Sequence, residues 1–379
     1  MQTLIVFSHL RWDFVYQRPQ QLMSRLARHY RIVFIQEPEP ATHSGETGWQ
    51  SSHPLAGLTV LRLAMPLTQR GFDQGDPQPL REKLAELRRQ HPLHIAWLYT
   101  PMAMPLLDVL DPQLVIYDCM DELSAFMHAP EGLIEHERRL LQRADLVFTG
   151  GPGLHASKRT QHANTHCFPS SVDSAHFRKA LDRNIAYAPH ATLPKPRLGF
   201  FGVLDERLDT ALMATIADAH PDWQLVLVGP VAKIEAASLP RRPNIHYMGQ
   251  QPYAMLPAFL ASWDVCLMPF AINEATRFIS PTKSLEYMAA ELPVVSTPVR
   301  DVVAMHADTV DIAATPADFI RCCEAALAMS AQERQQKIRQ MRVKLRRTSW
   351  DATVRDMHRL MLQAQGSAAI SASGAGESG

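Results

Sequence analysis

The five cysteines of this chain, Cys119, Cys167, Cys266, Cys322 and Cys323, form no Cys-x-x-Cys pair and no even framework. That excludes a disulfide scaffold and leads us to expect free thiols in a reducing cytoplasm. No run approaches the ~20 apolar residues of a membrane span. The opening residues, MQTLIVFSHLRWDF, lack a basic leader region and read as a first strand, so no signal peptide is expected. An excess of one charge is missing too. Lys+Arg 38 against Asp+Glu 38 give a formal net charge of zero, which argues against a nucleic-acid partner. The 17 histidines include no His-Glu-x-x-His, so a metallohydrolase has no support. No nucleophile–base–acid triad and no internal repeat emerges.

What the chain does have is alternation. Its 379 residues, 46% hydrophobic and 20% charged, suit two globular domains. Short apolar runs (3–8, 31–36, 58–63, 94–99, 114–119, 145–150) are separated by helical patterns such as 17–30, 79–90 and 132–143, the mark of an α/β protein with parallel sheets. Residues 37–57, rich in Ser, Thr, His, Gly and Pro, read as loop. After a Pro-rich break the rhythm restarts with strands at 197–202, 224–229, 244–249, 264–270 and 293–298. The expected organisation is an N-terminal domain over 1–185, a linker over 186–196 and a C-terminal domain over 197–347. A helix over 348–365 then returns to the first domain, and 366–379 forms a polar, disordered tail.

The most informative stretch is SPTKSLEYMAAELPVVSTP, 280–298. Ser280 suits an N-cap and Pro281 a first helical position. Free N–H groups at such a start favour an anion such as a diphosphate. A cation in the first turn opposes the dipole, so Lys283 calls for an anionic partner, and Glu286 shares its face. A capped helix with a surface Lys/Glu pair is the plainer alternative.

This stretch resembles the GT-B glycosyltransferases that use nucleotide sugars, specifically the family 4-like group within the family 1/4 enzymes of bacterial cell-surface glycans. The resemblance spans nearly the whole chain. It implies two Rossmann-like α/β domains facing each other across a cleft, with Glu286 on the donor's ribose and Ser280, Pro281, Thr282 and Lys283 bordering its phosphates. A family Glu that contacts the donor sugar falls here on Phe278, and the nearest preceding acid is Glu274. GFFGVLDERLDTALM is similar to the opening of the nucleotide domain. There Gly202 would let the backbone approach the phosphates, and Arg207 would either pair with them or with Asp205 or Asp209. NIHYMGQQPYAMLPAFL resembles the nucleobase loop, offering Gly249, Gln250 and Tyr253, the last equally suited to packing.

In the first half, SHLRWDFVYQRPQQLMSRLA looks like the opening of an acceptor domain, with His9 at a strand end and Arg18 at a helix start. The family's usual glycine-rich loop is absent here. YDCMDELSAF places Asp118 and Asp121 after a buried strand, where parallel sheets gather ligands. One or both would orient an acceptor hydroxyl or balance an oxocarbenium-like transition state, unless they cap the next helix. The resemblance further implies retention of anomeric configuration, no metal and no cofactor beyond the nucleoside-diphosphate sugar as donor. The acceptor would be a glycan or a lipid-linked one. A nucleotide-sugar epimerase and a catalytically silent nucleotide-sugar binding protein are the alternatives.

The zero net charge hides a segregation: residues 190–332 carry −5 and residues 333–347 carry +6. The basic helix is either a solvated face or a contact for anionic lipid, which would bring a cytoplasmic enzyme to the inner face of the membrane.

Overall fold

The computed structural model describes residues 1–41, 47–67, 70–72, 77–187, 189 and 192–374. It divides into two compact units, Met1–Pro169 with Asp351–Gly379, and Ser170–Trp350.

The first unit is built on an eight-stranded sheet. Its strands are β1 (Thr3–Ser8), β2 (Arg31–Pro40), β3 (Gly48–Leu55), β4 (Leu58–Met65), β5 (Leu93–Leu98), β6 (Leu114–Cys119), β7 (Leu146–Thr149) and β8 (Thr165–Cys167). Their order is β3-β4-β2-β1-β5-β6-β7-β8. Among the described residues of this sheet, only β3 and β4 pair antiparallel. β1 and β6 are buried along their whole length, which is why they read as unbroken apolar runs. β3 corrects the loop expected over 37–57. Gln50, Ser51, Ser52 and His53 are exposed on an edge strand, so the pattern carries no apolar signal and pairing with β4 makes the strand. The hairpin turns at Gly57, φ 80°.

The second unit carries six parallel strands: β9 (Arg197–Phe201), β10 (Gln224–Val228), β11 (Ile245–Tyr247), β12 (Val265–Met268), β13 (Val294–Ser296) and β14 (Asp311–Ile312). The order β11-β10-β9-β12-β13-β14 is the doubly wound Rossmann arrangement, which reverses direction between β9 and β12. Gly199 in mid-β9 is there for space, since a Cβ would lie 2.0 Å from the indole of the buried Trp263.

The boundary lies earlier than expected. Residues after Ser170 belong to the second unit because Val172, Phe177 and Ala180 sit in its core. Arg183 donates to the Ala261 carbonyl at 2.7 Å, and Tyr187 stacks on Phe259 at 4.3 Å. Within the expected linker, residues 188, 190 and 191 lie outside the described residues. The last helix, Trp350–Gly374, counts with the first unit from Asp351 onward, burying Val354, Met357 and Met361. It continues where a disordered tail was expected from Gly366, Ala and Ser being compatible with helix; residues 375–379 lie outside the described residues.

Candidate functional site

The C-terminal ends of β9, β10 and β11 are stitched side by side through three glycines. Gly202 leaves β9 with φ 145°, Gly229 leaves β10 with φ 149°, and Gly249 follows β11 with φ 65°. The Gly202 N–H donates to Val228 O, and the Gly229 N–H donates to Gly249 O, each at 2.8 Å. A Cβ on Gly229 would lie 1.8 Å from the Gly202 carbonyl oxygen. Gly229 was not among the expected site residues. The repeat of an apolar run ending in Gly, GFFG and LVLVG, was the available signal.

Lys283 lies on this glycine floor. A Cβ on Gly202 would be 2.4 Å from its Cε, and its ammonium stands 5.5 Å and 5.8 Å from the ring centroids of Phe200 and Phe270. Aromatic faces attract a cation. The ammonium therefore sits beside β9, where the strand order reverses and parallel sheets place ligands.

Lys283 opens the helix Lys283–Ala289. The start expected at Ser280 and Pro281 is displaced. Ile279, buried, is still bonded back to Thr276, and the first carbonyl to accept within the helix is that of Thr282, from Leu285 and Glu286. Ser280 therefore caps nothing, and Ser280, Pro281 and Thr282 approach the helix half-buried. Leu285, Met288 and Ala289 are buried beneath it. Tyr287, buried, accepts the Phe201 N–H on its hydroxyl at 3.1 Å, tying the helix to the last residue of β9. Nothing in the sequence marked that role. Glu286 is half-buried, and desolvation pushes its carboxyl up to about 7, against the pull of Lys283.

Of the partners expected for Arg207, the structure shows Asp205. Asp205, 3% exposed, fills its guanidinium fork, with Nε at 3.0 Å and 3.1 Å and Nη2 at 2.6 Å. Gly249 and Gln250 are exposed past β11. Tyr253 turns to packing instead: its ring stacks on His176 at 4.3 Å and meets Phe177 edge-on at 5.6 Å. Phe278 lies under the Arg277 guanidinium at 5.1 Å, and the exposed Glu274 pairs with Arg277 at 3.4 Å.

In the first unit, Arg18 and Asp118 are corrected together. They bind each other, Arg18 3% and Asp118 0% exposed, through Nε–Oδ contacts of 3.1 Å and an Nη2–Oδ1 contact of 2.8 Å. Arg18 also donates to Phe168 O at 2.7 Å. Burial opposes its charge, but the Asp118 carboxylate outweighs burial and raises the guanidinium's pKa. The pair is a buried strut, with neither group on offer to a substrate. His9, just after β1, and Asp121, just after β6, remain half-buried at the C-terminal edge of this sheet. Among the described residues no group of three or more His, Cys, Asp or Glu is placed to hold a metal ion.

A family model for glycosyl transferases group 1 matches residues 195–329, the stretch that holds this edge of the second sheet. The fold is that of GT-B glycosyltransferases, and this domain together with the relative named next makes the chain a glycosyl-transferring enzyme. It is 28% identical over 283 residues to TuaH of Bacillus subtilis (strain 168), provisionally named a teichuronic acid biosynthesis glycosyltransferase; the match covers 68% of this chain and 70% of that one. Sucrose-phosphate synthase from Thermosynechococcus elongatus superposes with TM-score 0.75 at 15% identity, over 97% of this chain and 100% of that one. The Anabaena protein HepE, solved in complex with UDP, gives TM-score 0.66 at 12% identity, over 96% and 100%. The epimerase and the silent binding protein find no support in these likenesses.

Proposed function

We propose that the enzyme moves a sugar from a nucleoside-diphosphate sugar to a glycan or lipid-linked acceptor in bacterial polysaccharide assembly, with retention and without metal or cofactor. One observation carries this reading: an ammonium lies over a glycine strand end, with a half-buried carboxylate three residues further along the same helix. Lys283 stands where a departing diphosphate would gather charge, bordered by Gly202, Ser280, Pro281 and Thr282. Glu286 would accept the ribose hydroxyls, and Gly249 and Gln250 would border the base. The bond from anomeric carbon to diphosphate oxygen breaks as the acceptor oxygen bonds to the same face. The acceptor's proton passes to the leaving phosphate. Fixed positive charge at that phosphate is electrostatic preorganisation and requires no covalent intermediate. His9 and Asp121 would serve the acceptor side. The UDP bound to HepE and the role for which TuaH is named support the donor class and the polysaccharide setting.

A thermal-shift panel of UDP-, GDP- and dTDP-sugars tests the reading, since a ligand that binds the folded state raises apparent stability. Calorimetry on Glu286→Ala should show weakened nucleotide-sugar binding in a folded protein. Unchanged affinity would remove Glu286 from the site.

The finer placement we propose is peripheral, through 333–347 on the cytoplasmic membrane face. Within helix Ala331–Leu345, Lys337, Arg342 and Lys344 pair with Asp311, Glu291 and Asp308. Arg339 on that helix, with Arg346 and Arg347 just beyond it, is exposed and supports the contact. No described helix is long and apolar enough to cross a membrane. Sedimentation with anionic vesicles that is indifferent to salt and lipid charge would dismiss the contact.

A further inference from the structure

In the loop that leaves β6, from Met120 to Gly132, no residue is fully buried. It contains one short turn, Leu123–Ala125, and it carries Asp121. Its first peptide rests on the end of β7, where a Cβ on Gly150 would lie 2.4 Å from Met120 O. The carbonyl of Asp121 accepts the Cys119 thiol at 3.5 Å, and one residue further on the loop gains an ionic hold. Glu122 reaches the ammonium of Lys158 at 2.9 Å, and Lys158 is 3% exposed at the end of helix Pro152–Lys158. The same carboxylate accepts the Ser124 hydroxyl at 3.0 Å, attaching the turn as well.

Lys158 does not need Glu122 for neutrality. It also binds Glu137, of helix Leu133–Arg143, at 2.7 Å, and Glu137 accepts the Tyr117 hydroxyl at 2.6 Å. One cation thus serves two carboxylates, each about seven-eighths buried. The Lys158–Glu137 pair, with Tyr117, is complete as part of the fold. Burying a second carboxylate costs free energy that the interior does not demand. What Glu122 adds is attachment of the loop.

We propose that Glu122 is a positioning residue: through buried Lys158 it fastens the loop after β6 and sets where Asp121 stands. The link to catalysis rests on the acceptor-side reading of Asp121 above. Hydrogen–deuterium exchange on the full chain, comparing wild type, Glu122→Ala and Glu122→Asp, tests it. In Glu122→Ala, amides of 121–132 should exchange roughly tenfold faster or more, with β6, helix 133–143 and the urea midpoint near wild type. Glu122→Asp keeps the charge and should restore most of the protection. Turnover of whichever nucleotide sugar gives the largest thermal shift should fall in Glu122→Ala while its affinity stays unchanged. Unaltered loop exchange overturns the proposal. So does equal acceleration of β6 and the helix, which would make the contact part of the general fold, or a matching loss of donor affinity. Asp121→Asn with normal turnover would dismiss the acceptor reading alone, leaving the fastening to the exchange data.

Discussion

The aliphatic stem of Lys283 crosses the backbone of Gly202 so closely that a Cβ there would stand 2.4 Å from Cε and 2.8 Å from Nζ. The glycine is therefore a seat for the lysine as well as a strand end. Gly202→Ala meets two penalties: a φ of 145° that L-residues rarely adopt, and displacement of the ammonium. We expect about 1–3 kcal/mol of lost stability by urea titration and roughly tenfold weaker nucleotide-sugar binding, a change worth about 1.4 kcal/mol. Wild-type affinity in a folded Gly202→Ala protein would show that the seat is irrelevant to the donor.

Glu286 gives the site a pH signature. Its carboxyl is raised to about 7, so it is largely protonated below that pH and ionised above it. A ribose that donates to the carboxylate binds the ionised form, so binding releases a proton near pH 6.5 and affinity falls as pH drops below about 7. Calorimetry in two buffers of different ionisation enthalpy measures that proton. Proton uptake would be the contrary result.

The same shift predicts the stability of the ligand-free protein. Between its ordinary value of 4.5 and about 7 the native state holds this proton more tightly than the unfolded chain, so stability falls as pH rises through that window. Glu286→Gln, which cannot ionise, should melt higher than wild type at pH 8 and alike at pH 4. Differential scanning calorimetry at both values decides it.

Removing one member of the Arg18–Asp118 strut strands a buried charge, so Asp118→Asn should cost about 3–5 kcal/mol in urea titration. The double change Arg18→Met with Asp118→Leu should recover most of that loss. A single variant as stable as wild type would mean that the buried charges do not depend on each other.

Tyr287→Phe leaves the Phe201 N–H without its acceptor in a buried setting, which should cost about 1–3 kcal/mol. Because the lost contact ties helix Lys283–Ala289 to β9, nucleotide-sugar affinity should fall with it, as calorimetry on the variant would show.

Central strands were legible in the sequence because burial on both faces leaves an unbroken apolar run. Strand expectations such as 3–8 and 114–119 match β1 and β6 residue for residue. β3 was hidden because an exposed edge strand owes its structure to a neighbour, and β14 because two residues carry no periodicity. The Pro-rich break near 186–196 drew the boundary away from Pro169, since composition marks irregular chain and not the unit it packs on. In the candidate site, the placement of Lys283 and Glu286 three residues apart on one helix was readable from local spacing. The partnership of Arg18 with Asp118, a hundred positions apart, was not. Asp205 lies only two residues from Arg207, yet which anion would fill the fork depended on geometry alone.

Because its last helix belongs with Met1–Pro169, the first unit is assembled from both ends of the chain and the second is contiguous. During synthesis the ribosome must deliver Met357 and Met361, fully buried in the finished protein, before the first unit can close its core. The second unit has no such wait. It can fold while its older neighbour is still missing a helix.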